Sequence, residues 1–164
     1  MEIERKFLVN DIKDLDLSKY HHKTIVQDYL YVDNFTAIRK RKITDNNLNK
    51  FTYTIKTAKV GISVNEIEKD ISEDEYNNLS LNPNYNTIEK ERYLIPFDKY
   101  NIELDIFNGI YKGIIFAEIE FPSEAIAFEI KLPNWFGPEL SSKVTNSQMA
   151  ISSANKILDL LNID

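Results

Sequence analysis

Charged residues recur at every second position in this chain, and that spacing dictates a β-fold. EIERKFL carries Glu2, Glu4 and Lys6, and the same interval returns in Arg39 and Arg41, Glu66 and Glu68, Lys90 and Arg92, Glu103 and Asp105, and Glu118 and Glu120. On a helix, Glu2, Glu4 and Lys6 would spread over more than half of the circumference; on a strand they share one face. Apolar residues occupy the alternate positions, among them Ile38, Ile67, Tyr93, Leu104 and Ile119. The pattern predicts strands over 2–8, 24–32, 37–43, 50–56, 63–71, about 86–95, 101–107 and 113–121, with turns at TDNN and Asn108-Gly109. Eight short alternating strands suit closure into a small antiparallel barrel.

Two segments break the pattern and predict helices. Ser72-Glu73-Asp74-Glu75 has capping-box spacing, with Tyr76 and Leu79 following at helical intervals. NSQMAISSANKILDLL places Ala150, Ala154, Ile157, Leu158 and Leu161 on one face. Residues 10–22 and 122–145 read as connecting or covering segments. The expectation is a mainly β (α+β) chain, a closed eight-stranded antiparallel barrel with covering helices, one of them C-terminal. At 164 residues it is expected to form one domain, 1–164, burying about two-thirds of its unfolded surface.

Composition excludes several function classes. With no cysteine, disulfides and thiolate metal sites are ruled out. No apolar run approaches the roughly 20 residues of a membrane span. Charges at Glu2, Glu4, Arg5 and Lys6 disqualify the start as a signal peptide, so the cytoplasm is the expected compartment. A net charge of −6 opposes general nucleic-acid or anionic-membrane binding.

Periodicity leaves one question open: which face points inward. In the ordinary arrangement apolar faces make the core and charges meet water. The inverted arrangement encloses Lys6, Arg39, Arg41, Lys56, Lys90 and Arg92 with Glu2, Glu4, Glu103, Asp105, Glu118 and Glu120. Each incompletely solvated ion costs on the order of several kcal/mol, so such a lumen persists only with water or compensating ions. Clustered cations call for a polyanion, and clustered carboxylates for hard divalent cations. A metal-bound polyphosphate answers both.

EIERKFLV resembles the ExExK signature of the CYTH superfamily, the triphosphate tunnel metalloenzymes. The resemblance continues in order through QDYL, IRKR, TYTIK, EIEKDI, EKERY, IELDIF, AEIEF and NWFG, and is nearest to the small bacterial inorganic tripolyphosphatases. It implies a charged eight-stranded tunnel and metal-dependent hydrolysis of inorganic triphosphate. A class IV type adenylate cyclase, a thiamine or nucleoside triphosphatase, and a noncatalytic polyphosphate-binding module are the alternatives. Glu2, Glu4, Glu103, Asp105, Glu118 and Glu120 would hold Mg²⁺ or Mn²⁺. Arg39, Arg41, Lys56, Lys90, Arg92 and Lys143 would bind the phosphates, with Lys6, Glu4 and Tyr29 as catalytic candidates and Gln27 bordering the tunnel. Glu66 or Glu68 is an inward acid without an assigned role. The expected partner is inorganic triphosphate or a small molecule carrying one, and an apolar exterior is compatible with a homodimer. Where relatives carry a basic, tyrosine-containing stretch after WFG, this chain has ELSSKVTNS, keeping Lys143 and an Asn146 match.

Other features stay structural. His21-His22 reads as a solvated connector, Ser141-Ser142 belongs to no nucleophile motif, and Trp135 and Phe136 read as packing anchors.

Overall fold

Antiparallel pairing joins the eight strands into a ring with no free edge. A computed structural model describes residues 1–141 and 143–163, and of Ala58 and Lys59 the backbone alone. The strands are β1 (Glu2–Leu8), β2 (His21–Val32), β3 (Thr36–Asp45), β4 (Leu48–Val60), β5 (Ser63–Ile71), β6 (Ile88–Phe97), β7 (Tyr100–Phe107) and β8 (Ile115–Glu120). They close in the order β1-β5-β4-β3-β2-β6-β7-β8, which removes the exposed edges on which open sheets aggregate. The TDNN signal becomes a two-residue hairpin: Asn46 and Asn47 both take positive φ, +48° and +65°, and so match the twist of β3 and β4.

β2, β3 and β4 run beyond their expected limits. His21 and His22 accordingly lie in β2 rather than in a connector, facing opposite ways toward Asp45 and Tyr93. Pairing with Leu94 and Tyr93 on β6 carries the ladder back to His21, before the expected start at Thr24. Ser72 and Glu75 form the expected capping box of α1 (Glu73–Asn78). An unexpected helix, α2 (Glu124–Glu129), is capped by Ser123. The expected C-terminal helix is two helices, α3 (Asn146–Ile151) and α4 (Ala154–Leu160), because Ser153 caps a new start. Ser142, half of the serine pair, lies outside the described residues.

Two apolar clusters flank the polar lumen. At one end Ile88, Phe107 and Phe116 point into the barrel and meet Tyr111, Met149, Ala150, Ile157 and Leu161, so α3 and α4 floor the lumen. On the outside, Leu104 and Ile119 are fully buried beneath α2 and the segment carrying Trp135 and Phe136. That segment continues as a fragment paired to β1, with Phe7 opposite Glu139. Gly137 is required there, since a Cβ would meet the Leu8 carbonyl oxygen at 2.5 Å. Arg5 locks the fragment through two bonds to Glu139, Nε to Oε1 at 2.8 Å and Nη2 to Oε2 at 2.9 Å. On the opposite outer wall α1 packs against Phe51 and Lys40, but Ile67 of β5 is 69% exposed. Ile119→Ala will therefore cost about 2–5 kcal/mol in urea unfolding, whereas Ile67→Ala will stay within about 0.5 kcal/mol.

Candidate active site

Strand parity sends the charged faces inward, which is the inverted arrangement. Register stacks them: Glu4 lies opposite Glu120 and Lys6 opposite Glu118 across β1 and β8, and Glu103 lies opposite Glu118 across β7 and β8. On the flanking strands Lys56 lies opposite Glu66 across β4 and β5, and Arg92 opposite Asp105 across β6 and β7.

The lumen holds a polar cavity of about 530 Å³, lined by Glu2, Glu4, Arg39, Arg41, Lys56, Glu66, Glu68, Arg92, Glu103, Glu118 and Glu120, with Asn101, Phe121, Pro122 and Asn146. A second cavity of similar volume shares Glu4, Arg39, Lys56 and Asn146 with the first. It extends past Lys6 and Tyr29 to the β2–β3 turn, Val32 to Ala37, and to Thr145 and Gln148.

Ion pairs hold the cations in place. Lys56 Nζ lies 2.7 Å from Glu2 Oε2 and Arg41 Nη2 lies 2.9 Å from Glu68 Oε2, while Arg39 Nη2 is 3.6 Å from Glu66 Oε1. Lys6 Nζ sits over the Phe116 ring, 3.4 Å from Glu118 Oε1 and from the Val144 carbonyl oxygen. Compensation remains incomplete: Arg39 Nε, Arg41 Nε, Glu118 Oε1 and Asn146 Oδ1 are buried without a hydrogen-bond partner. Native interiors rarely leave such atoms unpaired, so these await a ligand or water. The 3.4 Å approach of Lys6 to Glu118 is thus an ion pair lacking hydrogen-bond geometry.

Four expected positions are placed otherwise, the first being Gln27, which is wholly buried and lines neither cavity. Asp105, expected at a metal, is wholly buried and saturated, accepting from Lys90 Nζ at 2.8 Å and from Arg92 Nε and Nη2 at 2.7 and 2.8 Å. Lys90, expected on phosphate, is 1% exposed above the Phe107 ring and lines neither cavity. Together they form an internal counterion set that orients Arg92. Lys143 is exposed and borders a separate outer cleft beside Gln148 and Leu160, lining neither lumen cavity. Conversely, Glu66 and Glu68 line the lumen as direct partners of the arginines. Asn101 was missed although it shares strand parity with Glu103, and the second cavity carried no sequence signal, since only chain closure brings its walls together.

The carboxylates divide into two kinds. Burial, and then Glu118, push Glu4 up to about 7 against the pull of Lys56 and Lys6. Burial also raises Glu103 and Glu120, the latter aided by Glu2. Glu118 is held well below the carboxylate range: burial opposes ionisation, but Lys6, Arg92, Lys90 and Lys56 outweigh it. Among the described residues no three carboxylates are already drawn together as an ion cage. The donor set is nonetheless all oxygen, and its raised members gain most from an added cation.

The sequence matches the CYTH domain family over residues 1–158. It is 35% identical to an inorganic triphosphatase of Acetivibrio thermocellus over 143 residues, 85% of each chain. It is 31% identical to one of Nitrosomonas europaea, over 92% of this chain and 97% of that one. The crystal structure of the inorganic triphosphatase NE1496 superposes with a TM-score of 0.62 at 28% identity, covering 93% of this chain and 95% of that one. The PH1819 protein of Pyrococcus horikoshii shares the fold at a TM-score of 0.56 and 21% identity, over all of this chain and 92% of its own.

Glu4 makes the pH dependence of stability specific. Its folded pKa lies above the ordinary 4.5, so its contribution is fully present below that value and is lost as pH rises through about 7. In metal-free buffer Glu4→Gln will gain stability relative to the parent over that window, on the order of 3 kcal/mol, with the difference constant above it. Thermal unfolding between pH 4.5 and 8.5 reads this directly.

Proposed function

The chain belongs to the CYTH domain family, and on that premise we propose that it is a metal-dependent hydrolase of inorganic tripolyphosphate. The observation carrying this reading is the closed lumen, in which Arg39, Arg41, Lys56 and Arg92 face Glu2, Glu4, Glu118 and Glu120 across one cavity. Its size and polarity favour a short polyanion over an organic ligand. The two curated relatives named inorganic triphosphatase support the choice of substrate.

Phosphoryl transfer asks for in-line geometry and charge compensation more than for a protein nucleophile. Arginine forks at 39, 41 and 92 suit bidentate contact with phosphate oxygens, and Lys56 supplies a point charge. Lys6, poised between Glu118 and the aromatic floor, would balance charge developing at the terminal phosphoryl group. Glu2, Glu4, Glu103, Glu118 and Glu120 would hold Mg²⁺ or Mn²⁺, with Asp105 left to Arg92 and Lys90. When bound, the ion supplies Lewis-acid polarisation of phosphate oxygens. Water then cleaves one anhydride bond, giving phosphate and diphosphate.

Assays with tripolyphosphate, ATP and thiamine triphosphate under Mg²⁺ or Mn²⁺ test the reading. Phosphate release should be fastest from tripolyphosphate and be abolished by EDTA, whereas cyclic AMP with diphosphate would transfer the assignment to a cyclase. Arg39→Ala should raise KM about tenfold or more, the loss of a charge-assisted contact. Lys143→Ala should leave kcat and KM within about twofold.

A further inference from the structure

Asn146 is the neutral side chain at the junction of the two cavities, and it lines both. It is 8% exposed, and its Oδ1 is buried with no hydrogen-bond partner. An unpaired buried amide oxygen carries an uncompensated desolvation cost, so its retention beside two polar cavities points to a ligand. The backbone beneath it is firmly set. Thr145 and Gln148 exchange capping-box bonds, and Met149 and Ala150 are fully buried in the lumen floor.

The geometry points to Asn146 as the residue that orients the attacking water, an assignment resting on the triphosphatase reading above. With the phosphate chain on Arg39, Arg41 and Arg92 in the first cavity, in-line attack on its inner end must come from the opposite side. That side is the second cavity, reached across Glu4, Lys56 and Asn146. A carboxamide oxygen there accepts a hydrogen bond from the water without adding charge beside the polyanion. The oxygen of that water bonds to the terminal phosphorus. The bond from phosphorus to the bridging oxygen breaks, its electron pair leaves with diphosphate, and the released proton passes to solvent in the second cavity.

The test separates turnover from binding in Asn146→Ala and Asn146→Ser. For both, kcat with tripolyphosphate should fall about tenfold to a hundredfold, the scale of lost orientation at a reacting group. KM, the affinity for non-hydrolysable imidotriphosphate and the unfolding temperature should stay close to the parent. An unchanged kcat overturns the assignment, as does a loss matched by weaker imidotriphosphate binding, which would make Asn146 a phosphate contact. If Asn146→Ala unfolds, the serine variant, which restores a short hydroxyl, decides by the same criteria. A parent protein inactive on tripolyphosphate would overturn the substrate reading and this assignment together; an active parent with unaffected variants overturns this assignment alone.

Discussion

Enclosed, incompletely compensated charge is the constraint on which the molecule depends. Closing the barrel around Arg39, Arg41, Lys56, Arg92 and their carboxylate partners removes these ions from bulk water, at a cost that pairing only partly offsets. Partners reach the cations from neighbouring strands, yet arginine nitrogens and a glutamate oxygen stay unmatched. A lumen in this condition binds ions of both signs because each relieves the other's surplus.

Apolar packing makes such a lumen tolerable. Leu104 and Ile119, on the reverse faces of charged strands, lie under α2 and the Trp135 segment, so the charged wall stands on a packed wall. Phe107 and Phe116 extend the inner face into a floor sealed by α3 and α4, with Lys90 and Lys6 above the rings. Rigidity also comes from the buried Asp105 set, which fixes Arg92 before any ligand arrives. Preorganised charge of this kind favours phosphoryl transfer, where little rearrangement should accompany the developing charge.

Much of this was legible in the residues. Period-two spacing located all eight strands, with β1 and β5 at their observed limits, because alternation at one face per residue pair is a local signal. It could not choose the inward face; the family resemblance did, and strand register agrees with it. Lys90 and Asp105 read like Arg92 and Glu103 because spacing carries no depth, and depth alone makes one pair a counterion set and the other cavity wall. Lys143 lies outside both cavities for a related reason: it sits in a loop, and side-chain direction in a loop has no period. The Ser152-Ser153 break was visible as residues, but the apolar face running through it argued for one helix. Asn146 could be matched in the sequence, but its place between two cavities emerges only where α3 meets the barrel.

The central claim is that the lumen binds cation and polyanion as mutual complements. Isothermal titration of imidotriphosphate with and without saturating Mg²⁺, and of Mg²⁺ with and without imidotriphosphate, measures it once ion–ligand association in solution is subtracted. The account predicts that each ligand strengthens the other by the same factor, about tenfold or more. Affinities indifferent to the second ligand would contradict it.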